Sequence, residues 1–190
     1  MIAEKRFDVL VLGGGPAGLA AALAAASAGA STAIVEREER LGGILKQCVH
    51  DGFGLMRFGE QLAGPEYALR FAQAIPGAGV EVFLETFVHS ASRLEQVGAD
   101  GGFAFSLDCV NKKEGALRLS SKALVLATGC RERTDRQVFI QGERPAGIMT
   151  AGLAQLLVNI EGLLPGRRAV ILGSGDIGLI MARRLTLEGM

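Results

Sequence analysis

Apolar positions along the first part of the chain fall into blocks whose spacing changes from one block to the next. Phe7 to Leu12 is a short run of β-branched and long apolar side chains broken only by Asp8, the pattern of a strand buried on both faces. Pro16 suits the opening turn of a helix, and the alanine-rich run behind it reaches Gly29, which is placed to end it. Ser31 to Glu36 returns to a strand pattern. Strand, glycine turn, helix and strand make a βαβ unit.

A polar, glycine-rich stretch follows from Arg37 to Gly64, with Leu41-Gly42-Gly43 and Asp51-Gly52-Phe53-Gly54 inside it. It is too long for a simple connection, and long connections in compact domains are usually functional. Between Pro65 and Ile75 the positions Ala68, Phe71, Ala72 and Ile75 share one helix face, and Pro76-Gly77 is expected to stop that helix. Val80 to Val88 alternates like one strand. Phe103, Phe105, Leu107 and Cys109 alternate like another, and Lys112 to Gly115 turns into Leu117 and Leu119, which predicts an antiparallel meander. Ala123 to Ala127 is a continuous apolar run, expected to rejoin the buried parallel sheet and to end at Thr128-Gly129, a strand end where a site belongs.

Arg131 to Pro145 is charged and irregular, Thr150 is placed to cap a helix over Ala151 to Ile160, and Pro165-Gly166 breaks the chain. Arg168 to Leu172 is expected to start a fresh strand, followed by a second glycine cluster and a helix with Ile177, Ile180, Met181 and Leu185 on one face. The fold class expected is α/β, a Rossmann-like parallel sheet with an antiparallel β-meander, followed by the truncated start of a second dinucleotide-binding domain. The expected boundaries are 1–140 for the N-terminal part of the first domain, 141–166 for a linker with a short helix, and 167–190 for the first strand and helix of the second. One strand and one helix cannot make an independent domain, so residues from about Gly166 onward are expected to pack on the first domain or on a second copy.

Composition narrows the function classes. The 190 residues carry 20 basic and 20 acidic side chains, so no polyanion-binding surface is indicated and nucleic acid is not an expected partner. Glycine, at 27 residues, is about twice its ordinary usage and clustered, which means close backbone approaches. Cys48, Cys109 and Cys130 have no metal-type spacing and cannot all pair with one another, favouring a reducing compartment, read as cytoplasmic, and no metal site. Lys5, Arg6 and the apolar stretch to Ala30 imitate a secretory leader, but Gly13 to Gly18 would interrupt a targeting helix. No transmembrane helix is expected.

Gly13-Gly14-Gly15-Pro16-Ala17-Gly18 satisfies G-x-G-x-x-G between a predicted strand and a predicted helix. Gly13 allows the tight turn, Gly15 leaves room for a pyrophosphate, and Gly18 lets helix and strand pack closely. Pro16 and Ala17 start the helix, whose unpaired amides and dipole face the phosphate charge. Glu36 lies 18 residues beyond Gly18, where a carboxylate can accept hydrogen bonds from ribose hydroxyls; Arg37 beside it joins the same candidate set. The competing reading is a glycine turn with a solvated Glu36. Gly173, Gly175 and Gly178, with Asp176 and Ile177 between them, repeat the motif without a second strand. A plain strand-to-helix turn is the alternative there, since Asp176 suits the helix dipole yet repels a pyrophosphate.

With Leu41-Gly42-Gly43 and Ala127-Thr128-Gly129 between them, these two fingerprints resemble the two-dinucleotide-domain flavoproteins of the thioredoxin reductase and pyridine nucleotide-disulphide oxidoreductase superfamily, over the whole chain. Arg131 to Gly178, especially Arg144-Pro145-Ala146-Gly147-Ile148-Met149-Thr150-Ala151-Gly152, further resembles the flavoproteins associated with anaerobic glycerol-3-phosphate dehydrogenase and, more distantly, the sarcosine oxidase α subunit. The resemblance implies FAD at the first fingerprint and NAD(P)H at the second, a site incomplete in this chain. It also implies adenine contacts from the backbone of Val88, Gly43 and Ile44 along the FAD, and Thr128-Gly129 closing over it. NADH and NADPH are not distinguished.

The departures matter too. Lipoamide dehydrogenase-type reductases follow Leu-Gly-Gly with a Cys-x4-Cys pair, and this chain has Leu45 and His50 there. The Cys-x-x-Cys of thioredoxin reductases would lie beyond Met190. Cys48, with Lys46 and His50 nearby, is the catalytic candidate, on the segment that in this fold passes the flavin; the alternative is a quiet, packed thiol. Cys109 and Cys130 are expected to be structural. His50 is a proton-donor candidate or a polar loop residue, His89 is read as ending a strand, and Arg131, Arg133 and Arg136 either hold an anion or solvate a linker.

The resulting expectation is an FAD-dependent oxidoreductase that takes hydride from NAD(P)H and passes electrons to an unidentified small-molecule or protein acceptor. The alternatives are an FAD-binding electron-transfer or accessory subunit of a larger dehydrogenase complex, with a glycerol-3-phosphate dehydrogenase-type partner, or a truncated chain of little activity that binds FAD weakly. A homodimer is one assembly open to it.

Overall fold

The computed structural model describes residues 2–94, 102–143 and 145–190, so Arg144 of the Arg144 to Gly152 stretch lies outside the described residues. The chain divides into two compact units, Met1–Leu45 with Glu66–Gly129 and Lys46–Pro65 with Cys130–Met190.

The first unit is built on one six-stranded sheet. Its elements are β1 (Ala3–Leu12), α1 (Pro16–Ser27), β2 (Thr32–Val35), β3 (Glu81–Phe83), β4 (Thr86–Arg93), β5 (Phe105–Asn111) and β6 (Gly115–Leu126), in the sheet order β3-β2-β1-β6-β5-β4. β3, β2, β1 and β6 run parallel, and β6, β5 and β4 form the antiparallel meander. The alternation of Leu107, Cys109, Leu117 and Leu119 puts all four on the buried face, with Leu10, Ala33 and Val35, in one core cluster. Leu19 and Ala22 of α1 are fully buried, and α1 packs on β1 and β2.

Three expectations change in this unit. β1 starts at Ala3 rather than Phe7, its added residues pairing with β6 from Ala3↔Leu117 onward. The run Val80 to Val88 is two strands: β3 extends the parallel sheet beside β2, and β4 sits at the opposite edge. The chain turns at Leu84 and Glu85, where Glu85 takes φ +49°. Asn111 Nδ2 holds that corner by donating to the Leu84 carbonyl at 2.9 Å and to Thr86 Oγ1 at 2.7 Å. Phe83 of β3 and Thr86 and Val88 of β4 all turn inward, so the buried positions switch from odd to even numbers across this corner. Finally, Ala123 to Leu126 is the second half of β6 rather than a separate strand. Its parallel pairing with β1 is as expected, but β5 pairing stops at Ser121, and Leu126 is 69% exposed.

The second unit contains α2 (Leu55–Phe58), α4 (Ala151–Asn159) and α5 (Asp176–Leu187), while α3 (Gly64–Gly77) begins at its edge and runs through Pro76 in the first. Ala154 and Val158 of α4 pack against Met181 and Leu185 of α5. A polar chain adds to this contact: Arg184 Nε donates to Asn159 Oδ1 at 2.9 Å, Asn159 Nδ2 donates to the Gln47 carbonyl at 2.8 Å, and Gln47 Nε2 donates to the Gly152 carbonyl at 3.0 Å. The strand expected over Arg168 to Leu172 does not form; that segment is irregular, with Val170 99% and Leu172 83% exposed. A strand needs a neighbour for its backbone groups, and no described strand lies beside it.

Candidate functional site

The first glycine turn is built by contacts that require glycine at some positions and not at others. Gly13 follows β1 with φ +109°, and a Cβ there would strike the Ala127 carbonyl oxygen at the end of β6. Gly18, in the first turns of α1, faces the Gly13 carbonyl so closely that a Cβ would collide with it, with Val11 Cγ1 3.3 Å away. Gly15 is different. It is the N-cap of α1, with φ −76° and ψ −175°, and a Cβ built on it finds nothing nearer than Gly43 Cα at 3.8 Å. The fold does not need a glycine there.

Around this turn the chain returns twice. Gly42 N–H donates to the Gly14 carbonyl at 2.8 Å, and Gly43 takes φ +54° so near the turn that its Cβ would lie 2.9 Å from Gly15 Cα. Ala127 N–H donates to the Leu12 carbonyl at 2.8 Å, which brings exposed Thr128 and Gly129 (φ +69°) to the same end of the sheet. Ile44 is 60% exposed. Glu36 is buried at 7% exposure, and both carboxylate oxygens already accept backbone donors, Oε2 from Gly14 N–H at 2.6 Å and Oε1 from Glu38 N–H at 2.9 Å. Each oxygen keeps accepting capacity, so the carboxylate fastens the turn and can still meet a hydroxyl. Arg37 is exposed, with Nε 3.3 Å from Glu38 Oε1. Half-buried Val88 lies two residues past Thr86, whose N–H donates to the Glu36 carbonyl at 2.9 Å. All of these residues belong to the first unit.

The second turn repeats the shape of the first inside the second unit. Gly173 takes φ +122°, a Cβ on Gly178 would lie 2.7 Å from the Gly173 carbonyl oxygen, and Gly175 caps α5 with φ −74° and ψ 170°. Asp176 opens the helix and Ile177 is 46% exposed. Neither α1 nor α5 has a side chain capping its first turn. α4 shows the ordinary alternative, with Thr150 Oγ1 accepting from Leu153 N–H at 3.3 Å and Glu132 Oε1 from Gly152 N–H at 2.7 Å. Helix starts leave orphan amides, and only the two glycine turns leave them without a side-chain acceptor among these three helices.

The thiols and imidazoles follow expectation only in part. Cys48 is buried and burial pushes its thiol pKa up, so the surroundings disfavour the thiolate that Lys46 and His50 suggested. Cys109 is buried in the core, and burial, then Asp108, pushes its thiol up to about 11. Cys130, expected to be structural, is exposed. His50 Nδ1 lies 2.9 Å from the Asp51 carbonyl and its ring 5.2 Å from that of Phe53. His89 sits inside β4, at the register shift between Val88 and Ser90, and is exposed. Arg131, Arg133 and Arg136 are exposed, in keeping with solvation. Sequence reasoning missed Glu132 as a helix cap, the polar chain through Asn159, and an open cavity of about 450 Å3 in the second unit. That cavity is lined by His50, Asp51, Gly52, Phe53, Asp176, Leu179 and Ile180. None of these carries a local sequence pattern, because each joins segments far apart in the chain.

The sequence profile of the pyridine nucleotide-disulphide oxidoreductase family matches residues 7–189. The chain belongs to this family. Among family relatives, an opine oxidase subunit of Agrobacterium tumefaciens (strain Ach5) is 30% identical over 187 residues, covering 97% of this chain and 35% of that protein. The alpha subunit of sarcosine oxidase of Rhizobium meliloti (strain 1021) is 31% identical over 195 residues, covering 96% of this chain and 18% of that protein. The crystal structure of L-proline dehydrogenase from P. horikoshii shares the fold, with a TM-score of 0.71 at 22% identity over 98% of this chain and 35% of that one. This pyridine nucleotide-disulphide oxidoreductase chain thus spans about a third of the length of the curated relatives it matches first. No helix among the described residues is long and apolar enough to cross a membrane.

Proposed function

We propose that the chain is the dinucleotide-binding part of an FAD-dependent oxidoreductase that takes hydride from NAD(P)H and passes electrons to a further acceptor. The observation that carries this reading is Gly15: neither its dihedrals nor its neighbours call for glycine, and α1 starts behind it with no side chain capping its first-turn amides. An anionic diphosphate fits that cradle. In this reading FAD is held by Gly13, Gly15, Pro16, Ala17 and Gly18 at its diphosphate, by Glu36 and Arg37 at the ribose side, and by Gly43, Ile44, Val88, Thr128 and Gly129 along its length. Gly173, Gly175, Asp176, Ile177 and Gly178 open the NAD(P)H site, supported by the repeated turn geometry. Residues 1–140 then carry the FAD site, 141–166 the linker with α4, and 167–190 the start of the nicotinamide domain. A bound flavin supplies reversible hydride acceptance, and the protein supplies binding, orientation and electrostatics. Cys48 is read as a packed thiol rather than a nucleophile, supported by its burial. Cys48, Cys109 and Cys130 form no disulfide, which supports a cytoplasmic location.

A second reading is favoured by the relatives' names, two of which are subunits: the chain belongs to a component that relays electrons inside a larger dehydrogenase complex. A partner of the anaerobic glycerol-3-phosphate dehydrogenase type is the finer form, supported by the Arg144 to Gly152 stretch. Anaerobic mixing separates the readings, because bleaching of bound flavin by NAD(P)H alone supports the enzyme and bleaching only with a partner supports the relay.

Gly15→Ala tests the site itself. The added methyl has room in the folded chain, so thermal melting should match wild type, whereas FAD affinity should fall at least about tenfold, or ~1.4 kcal/mol. A wild-type chain that binds no FAD, or a Gly15→Ala chain that binds it equally well, would refute the assignment.

A further inference from the structure

The N–H and the carbonyl of Gly152, in the first turn of α4, are each taken by a side chain from a distant part of the chain. Glu132 Oε1 accepts from the N–H at 2.7 Å, and Gln47 Nε2 donates to the carbonyl at 3.0 Å. Gln47 is buried at 9% exposure, and its own carbonyl accepts at 2.8 Å from Asn159 Nδ2, at the last residue of α4. All four residues lie in the second unit. α4 does not need Glu132 in order to start: Thr150 caps it locally, and α1 and α5 begin with no capping side chain at all. Glu132 nonetheless dictates what stands on that helix. A Cβ on Gly152 would strike the Glu132 carboxylate, which supplies the three atoms nearest to it. The helix thus carries one of its poorest formers at the point where this carboxylate docks.

The chain itself connects this latch with the segments assigned to FAD. Gly43 and Ile44 open the 3-10 turn that ends at Gln47, and Glu132 is the third residue after Gly129. Each segment is fastened to α4 within about 11 Å of chain beyond its last assigned flavin contact. We propose that Glu132 is a positioning residue of the flavin site. It holds the segment that leaves Thr128-Gly129 on the same α4 residue to which Gln47 holds the segment that leaves Gly43-Ile44. This inference rests on the FAD reading. Two segments fixed before the cofactor arrives lose less conformational entropy on binding than two loose ones, and a carboxylate grips an amide more strongly than a neutral acceptor does. Once released, exposed Glu132 swings into water, and the segment behind Gly129, at φ +69°, is free to turn at that glycine. FAD is then held less tightly and in less uniform surroundings.

FAD titration, the visible absorption of the bound flavin and thermal melting of the FAD-free chain test this on wild type, Glu132→Ala, Glu132→Gln, Gly152→Ala and the Glu132→Ala, Gly152→Ala pair. In Glu132→Ala the FAD affinity should fall about tenfold and the flavin band should change shape, with melting of the FAD-free chain nearly unchanged. Glu132→Gln keeps an acceptor oxygen and should recover most of the affinity. Gly152→Ala adds a better helix former, so it should melt no lower than wild type and yet weaken FAD as much as Glu132→Ala does. The pair should be no worse than either single variant, because both remove one contact. Glu132→Ala and Gly152→Ala chains that bind FAD as tightly as wild type, while Gly15→Ala binds it weakly, would overturn the latch and leave the FAD site standing. Additive losses in the pair, or losses matched by a fall in melting of the FAD-free chain, would also overturn it, reducing Glu132 to a helix cap. A wild type that binds no FAD would overturn the latch and the FAD reading together.

Discussion

Replacing Glu36 by glutamine removes a charge but almost no volume, so it isolates what the buried carboxylate does for the glycine turn. In the native chain Oε2 accepts from Gly14 N–H at 2.6 Å and Oε1 from Glu38 N–H at 2.9 Å. Glutamine keeps one acceptor oxygen and turns an amide NH2 toward the other N–H, where two donors face each other. A hydrogen bond to a charged group contributes roughly 1.5 to 3 kcal/mol, and an orphaned buried donor costs about 1 to 3 kcal/mol. Against this, the neutral side chain is easier to bury at 7% exposure. A net loss of about 2 kcal/mol results, which for a chain of this size lowers Tm by roughly 4 to 8 °C. Thermal denaturation followed by circular dichroism measures it, and hydrogen exchange at the Gly14 and Glu38 amides localises it, one of the two exchanging much faster. If Glu36→Gln melts at or above the wild-type temperature with both amides still protected, the carboxylate does not fasten the turn and the reasoning fails.

Gly18→Ala gains about 1 kcal/mol of helix propensity but drives a methyl into the Gly13 carbonyl and against buried Val11. Overpacking of roughly 1 to 3 kcal/mol prevails, and denaturant titration should show net destabilisation, unlike Gly15→Ala. Asp8 is held down to about 2 from its ordinary 3.8, first by Lys122 and then by Ser31. A depressed carboxyl contributes stability above its unfolded value that is lost as pH falls toward 2, so Asp8→Asn should flatten the pH dependence of Tm between about 4 and 2; identical wild-type and variant slopes would count against it. Iodoacetamide at neutral pH should label exposed Cys130 first and spare buried Cys48 and Cys109, read by peptide mass; early modification of Cys48 would reinstate it as a reactive group.

Local pattern alone specified the βαβ opening, the glycine turn, the helix behind Thr150 and the meander, because each depends on neighbours a few residues away: a period of two or 3.6, a proline at a helix start, a glycine where φ is positive. The split of Val80 to Val88 was hidden since its corner is tied by Asn111, and the continuity of β6 was hidden since two different partners claim its two halves. Arg168 to Leu172 reads as a strand in composition, but strand formation needs a second backbone that composition cannot supply. The same division runs through the site. The fingerprint glycines and Glu36 were legible from spacing, whereas tertiary structure decided that Glu36 grips Gly14, that Gly15 is the one fingerprint glycine of the first turn the fold leaves unused, and that Cys48 is buried. Those facts are distances between segments brought together by folding, and no window of sequence contains them.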